Sequence, residues 1–219
     1  MQFIIPTQTA EALTIIANHK ESEFKFLYYD SETHHLIAIP HGNFMAFANI
    51  HECQDMLQEF PEPDIKHTDP PETPIPIPAK ILANAIKASG SYQKALLPIV
   101  KTLLVSVNTN DSVSVTSIDK DINISTFKSK THYRTLPDYK YVFKTYDESD
   151  KDSVPIQVNP DYLNTITKMA VKVTKTYETP NMELTQIRDG LIYGSVNSLN
   201  HTYLNPEIRF AIGPLHLPE

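Results

Sequence analysis

The sequence predicts an α+β fold built from one supersecondary unit used three times: a strand, a helix and then three strands. Three observations predict it. A phrase of alternating apolar residues, a proline and a helical pattern recurs as FIIPTQTAEALTIIA from Phe3 to Ala17, IPIPAKILANAIKA from Ile75 to Ala88, and IQVNPDYLNTITKMA from Ile156 to Ala170. Short runs that alternate apolar and polar residues follow each phrase, broken by turn residues, as antiparallel strands do. The corresponding residues Ile5, Ile77 and Val158 lie 72 and 81 positions apart, too far for a solenoid repeat. Each unit therefore reads as half of an α+β domain, with helices on one face of antiparallel sheets.

In the first unit the strand Phe3 to Ile5 leads through Pro6-Thr7, where a threonine can cap a helix, into a stripe of Ala10, Leu13, Ile16 and Ala17. Glu11, Thr14 and Asn18 lie opposite that stripe. Phe24 to Tyr28, Leu36 to Ile39 and Phe44 to Ile50 are the three strands, turned at Asp30-Ser31-Glu32 and His41-Gly42-Asn43. Seven of the seventeen prolines fall between Pro61 and Pro78, and because proline cannot donate to a sheet ladder this stretch is an extended connector.

The second unit opens with Ile75 and Ile77, and its helix turns Ile81, Leu82, Ala85 and Ile86 inward before stopping at Gly90-Ser91. Leu103 to Val107, Ser112 to Thr116 and Ile122 to Ser125 supply three strands. A crossing segment with the acidic cluster Asp147, Glu148, Asp150 and Asp152, expected to be solvated, leads to the third unit. There Asn159 is a good N-cap, Pro160 suits the first helical position, and Leu163, Ile166 and Ala170 point inward. Met182 to Arg188 and Leu191 to Asn197 flank the hairpin signal Asp189-Gly190, and Ile208 to Ile212 is the last strand.

The 219 residues, 41% hydrophobic, suffice for one or two cores, and no apolar run reaches 18 residues. The N-terminus lacks a basic region ahead of its short apolar stretch, so no leader is expected and a cytoplasmic location is. The single cysteine, Cys53, precludes an intramolecular disulfide and reads as a buried filler. A formal charge of −7 argues against basic patches everywhere, and leaves room for one cationic face.

Catalytic constellations are not found. His34, His35 and His41 are spaced for neither HExxH nor a Cys/His finger, and adjacent His34 and His35 face opposite sides of a strand. There is no G-x-S-x-G, no cysteine protease signature, no EF-hand loop and, with five glycines, no Walker or dinucleotide fingerprint. No catalytic residue, metal or cofactor is expected. What remains is the polar side of the helices: Lys80, Asn84 and Lys87 at i, i+4 and i+7, with Lys94 beyond, and Lys168 and Lys172 with Lys175 beyond. Such stripes solubilise an exposed face, or meet phosphates without reading bases.

The stretches PIPAKILANAIKAS (Pro76 to Ser89), FKSKTHYRTLPDYKYVF (Phe127 to Phe143), VNPDYLNTITKMA (Val158 to Ala170) and FAIGPL (Phe210 to Leu215) resemble bacterial DNA sliding clamps, the beta subunit of DNA polymerase III, and short clamp-like proteins of phages and prophages. The resemblance covers most of the chain in order. It implies a DNA-clamp fold with a domain at 1–138 made of two half-repeats (1–60 and 74–138, connector 61–73) and a third half-repeat at 139–219. In that family two units form a domain, six domains form a ring, and the helices line the hole around duplex DNA. The resemblance thus implies a non-enzymatic processivity factor whose Lys80, Asn84, Lys87, Lys94, Lys168, Lys172 and Lys175 touch DNA phosphates. It also implies a homo-oligomer that tethers a DNA polymerase or other replication protein through Phe210, Ile212, Pro214 and Leu215. The implied setting is the cytoplasm of a bacterial or phage-infected cell. Two departures stand out: three units are an odd number, and the tail reads Gly213-Pro214-Leu215-His216-Leu217 in place of the family's usual ending. Four chains would supply twelve units. The alternative is a clamp-fold interaction module or decoy that binds a replication protein without encircling DNA.

Overall fold

A computed structural model describes residues 1–20, 22, 25–41, 44–60, 74–108, 112–131, 139–140, 158–173, 181–186, 192–197, 204 and 206–213. The first unit comprises β1 (Gln2–Pro6), α1 (Thr7–Ala17), β2 (Phe26–Asp30), β3 (His35–His41) and β4 (Phe44–Asn49), followed by a 3-10 helix over His51–Glu59. The second comprises β5 (Ile75–Pro78), α2 (Ala79–Ala88), two short 3-10 turns at Tyr92–Lys94 and Pro98–Lys101, then β6 (Thr102–Asn108), β7 (Ser112–Ile118) and β8 (Ile124–Lys130). The third shows α3 (Pro160–Val173), β9 (Asn181–Gln186), β10 (Ile192–Asn197) and β11 (Ile208–Ile212). Residues 154–157 of the expected third opening strand, Lys175, the hairpin Asp189-Gly190, the acidic cluster and most of the proline-rich connector lie outside the described residues.

Among the described residues all pairings are antiparallel, in a four-stranded sheet ordered β1-β6-β7-β8 and a seven-stranded sheet ordered β5-β2-β3-β4-β11-β10-β9. The order shows an exchange. α1 packs on its own β2, β3 and β4, and α2 on its own β7 and β8. The opening strands have crossed over: β1 pairs with β6 of the second unit and β5 with β2 of the first. The third unit joins through β11 on β4, so the large sheet runs through both units.

One core lies between helices and sheets. Ala10, Leu13, Ile16 and Ala17 of α1 are fully buried, as the stripe predicted, and join Ile5, Leu27, Val105, Leu82, Ile166 and Phe210. Asn159 caps α3 as expected, accepting from the Asp161 N–H at 2.9 Å. Thr7 does not cap α1: it is the first helical residue, and Pro6 precedes it with no side-chain cap. Leu163 does not point inward either. It lies at the rim of the face formed by the buried Ile166, Met169 and Ala170, at 38% exposure.

The outer faces of the two sheets differ. On the four-stranded sheet it is polar, with Thr116 and Thr126 hydroxyls bonded at 2.9 Å and Lys128 and Lys130 exposed beyond. On the seven-stranded sheet it is apolar, with Tyr28, Ile37, Ile39, Met45, Phe47 and Tyr193 buried around Tyr139. The Tyr139 hydroxyl donates to Asp30 at 2.6 Å, and the Lys140 ammonium pairs with the same carboxylate at 2.9 Å. Burial pushes the Asp30 carboxyl up, but the bonds from Tyr139, Lys140 and the Glu32 N–H outweigh it and hold the group at about 2. Because that value lies below the unfolded one, the contribution to stability is complete above about pH 4 and is lost as pH falls towards 2. Asp30→Asn should therefore lower the urea midpoint at neutral pH, by about 1–3 kcal/mol of stability, and the gap to the parent should close between pH 4 and 2.

The sheet edges are treated unequally. Outside β1, Gln54 accepts from the Ile4 N–H and donates to the Ile4 carbonyl, both at 2.9 Å. At β5, Pro76 and Pro78 remove donors from the rim, and the Thr131 hydroxyl donates to the Pro76 carbonyl at 2.7 Å. β8 carries Lys128 and Lys130. β9 has no comparable cover among the described residues.

Candidate nucleic-acid interface

Among the described residues, α1, α2 and α3 form one layer in which α1 packs against both others. Amphipathicity sets this layer: each helix commits its apolar stripe to a sheet and leaves a polar side outward. A cavity of about 980 Å³ opens on that outward side, lined by α1, α2 with the following turn, and α3. Five lysines line it, Lys20, Lys87, Lys94, Lys168 and Lys172, against two carboxylates, Glu11 and Asp161. That leaves an excess of three positive charges in a chain whose formal charge is −7.

The lysines are not equivalent. Lys172 pairs with Glu11, which also accepts from the Tyr92 hydroxyl at 2.6 Å, so one carboxylate of α1 ties the turn after α2 to the end of α3. Burial, then the bond to Glu11, raises the Tyr92 phenol well above its ordinary range and keeps it a neutral donor. Gln8 donates to the Lys172 carbonyl at 2.9 Å, and Lys20 pairs with Asp161 at the other end of the helix pair. The hydrogen bond from Lys20 lowers the Asp161 carboxyl below its ordinary value. Lys87, Lys94 and Lys168 are exposed and make no ion pair among the described residues.

Of the residues expected to touch phosphate, the fold thus brings Lys87, Lys94, Lys168 and Lys172 to one groove and gives Lys172 a structural partner. Lys80 and Asn84 are exposed on α2 beyond the groove lining, and Lys175 lies outside the described residues. Lys20 was not anticipated, because it follows its helix rather than lying on a stripe. The expected partner site fares differently. Phe210 and Ile212 are 0% and 1% exposed and face the helix-side core from an interior strand, so their side chains offer no surface; Pro214 and Leu215 lie outside the described residues.

His34 and His35 are separated by a turn and not, as expected, by alternation along a strand. His34 sits at φ 55° in the turn before β3 and shares a hydrogen bond of 2.8 Å with the Tyr29 hydroxyl, whereas His35 packs its ring on Phe47 across the sheet. The His41 side chain lies outside what the structure describes. Cys53 is buried, its thiol donating to the Ile50 carbonyl, and burial pushes it up to about 12.

No protein-family profile matches the sequence, and no curated protein does. Among solved structures the chain is similar to a PCNA2–PCNA3 complex from Sulfolobus tokodaii, with a TM-score of 0.51 and 11% identity, over 98% of this chain and 99% of that one. At that identity the likeness shows the fold: a clamp-like α+β architecture of antiparallel sheets with helices on one face.

Proposed function

We propose that this protein is a non-enzymatic, clamp-like processivity factor that holds duplex DNA by its backbone against the helical face. In this reading it works as a homo-oligomer in the cytoplasm of a bacterial or phage-infected cell, derives from a phage or prophage, and tethers a DNA polymerase or another DNA-processing protein. The observation that carries the reading is the groove, where Lys87, Lys94 and Lys168 stand exposed together on the side away from the sheets while the rest of the chain is acidic. Lysine without a neighbouring planar, bidentate set suits phosphate rather than base edges.

The test is binding of unrelated duplexes across a salt series. Affinities should be equal between sequences, with a log–log salt slope of about −3 for three neutralised phosphates. Binding that depends on sequence, or that is flat in salt, would overturn the mechanism.

A further inference from the structure

The groove that carries five lysines also carries two carboxylates, and in a site for phosphate a carboxylate repels the ligand. Their surroundings set the two apart. The side chains of Glu11 and its partner Lys172 are 21% and 28% exposed, whereas those of Asp161 and its partner Lys20 are 49% and 63% exposed. A shielded pair keeps its geometry, while an exposed one is weak, is screened by salt and exchanges partners readily.

Glu11 stands on α1 and reaches the elements that carry two of the exposed lysines. On one side it accepts from the Tyr92 hydroxyl at 2.6 Å. Tyr92 is buried and opens the 3-10 turn that ends in Lys94, a turn closed by the Lys94 N–H on the Ser91 carbonyl and the Ala95 N–H on the Tyr92 carbonyl, each at 3.0 Å. On the other side Lys172 lies one helical turn beyond Lys168, so the bond that fixes Lys172 fixes the ridge on which Lys168 stands. Gln8, one turn earlier on α1, secures the same end of α3 through the Lys172 carbonyl at 2.9 Å. Lys94 and Lys168 thus take their separation from one carboxylate. Phosphates recur at fixed intervals along a duplex, and lysines held apart at a set distance lose less freedom on binding than free ones do. Asp161 is placed otherwise. It is the second residue of α3, where a negative charge suits the helix dipole, within the field of Lys168, and Lys20 meets it from three residues past the end of α1.

We infer, on the reading of this groove as a DNA-backbone site, that its two carboxylates act in opposite directions. Glu11 is a positioning residue that sets Lys94 and Lys168 for phosphate. Asp161 is a competitor that occupies Lys20 until a phosphate displaces it, which makes Lys20 a fourth phosphate ligand. Charge alone does not separate the two: removing either carboxylate takes one negative charge from the groove, and by Coulomb attraction both removals would tighten binding. The fold gives them opposite signs, because loss of Glu11 also unties the turn after α2 from the end of α3, whereas loss of Asp161 only releases a lysine.

The test is the sign of the change when the full-length chain binds one short mixed-sequence duplex across a salt series. Asp161→Asn should bind about two- to fivefold more tightly, with a salt slope steeper by up to about one. Both gains should vanish when Lys20→Ala is added. Glu11→Ala should bind at least about fivefold more weakly, with a slope shallower by about one, although the groove has become more positive. Glu11→Gln, whose amide oxygen still accepts from Tyr92, should recover most of that loss. Tyr92→Phe changes no charge and keeps the buried ring, so it carries the test if Glu11→Ala fails to match the parent's circular dichroism; it should weaken binding about two- to tenfold. Binding by folded Glu11→Ala, or by Tyr92→Phe, as tight as the parent's or tighter would overturn the positioning role. An Asp161→Asn gain that survives Lys20→Ala, through relief of Lys168, or no gain at all, would overturn the competitor role. In either case a parent slope of about −3 leaves the DNA reading standing, and a parent that binds no duplex overturns that reading and the inference together.

Discussion

Lys87→Glu, Lys94→Glu and Lys168→Glu together are expected to abolish DNA retention while leaving thermal stability within about 1 kcal/mol of the parent, as exposed substitutions do. At contact distance in water each charge pair is worth about 1 kcal/mol. Each reversal changes the local charge by two, so three sites remove far more than the 1.4 kcal/mol that a tenfold loss requires. A loss of at least about a hundredfold is expected, with the salt slope falling by about one for each lysine replaced singly by a neutral residue. The control is the same charge change at Lys128 and Lys130 of β8, which lie on the outer face of the other sheet and should leave retention unchanged. Lys172→Glu belongs to a different experiment. It would set two carboxylates against each other where α1 meets α3, and its cost should be read in unfolding before it is read in DNA binding.

Phe210→Ala should cost about 3–5 kcal/mol of folding stability, the range for truncating a fully buried phenylalanine. The side chain is 0% exposed on β11, and its ring lies over Gly194 of β10, so that a Cβ at Gly194 would meet both that ring and the Glu183 carbonyl. Gly194→Ala should therefore be destabilising in its own right, by about 1–3 kcal/mol. The two costs should not add: with the ring removed, the alanine meets one obstacle in place of two. Chemical denaturation of the four proteins measures the coupling. Were Phe210 a partner-binding residue, its truncation would leave the denaturation midpoint alone and weaken partner capture; a fall in the midpoint assigns it to the core.

Much of this was legible in the residues. Period-two and 3.6-residue patterns located the helices and most strands, because in a two-layer fold each element hides one face and the hidden face must be apolar. Asn159 announced the start of α3 for the same local reason. What the residues did not announce is the exchange of β1 and β5, since an opening strand has the same alternating pattern whichever sheet receives it. The 3-10 helix over His51–Glu59 was also missed, although Cys53, Met56, Leu57 and Phe60 follow one another at i, i+3, i+4 and i+7 and pack on the core or close to it. At the groove the lysines of α2 and α3 could be picked out by spacing, but that Glu11 would claim Lys172 depends on which helix lies next to which, and no local pattern encodes neighbours. Phe210 and Ile212 misled for the opposite reason. A terminal apolar run reads alike as surface bait or as a last strand, and the pairing of β11 with both β4 and β10 makes it the latter.

The crossing of opening strands also sets the tempo of folding. β1 leaves the ribosome long before its partner β6, which begins at Thr102, and β4 must wait for β11, which begins at Ile208. Neither sheet can close on local contacts, so loop entropy is lost long before the pairings that offset it form, and slow, highly cooperative folding follows. During synthesis the half-finished sheets stand with open rims, and a chain stalled before Ile208 would present β4 to any strand that came by.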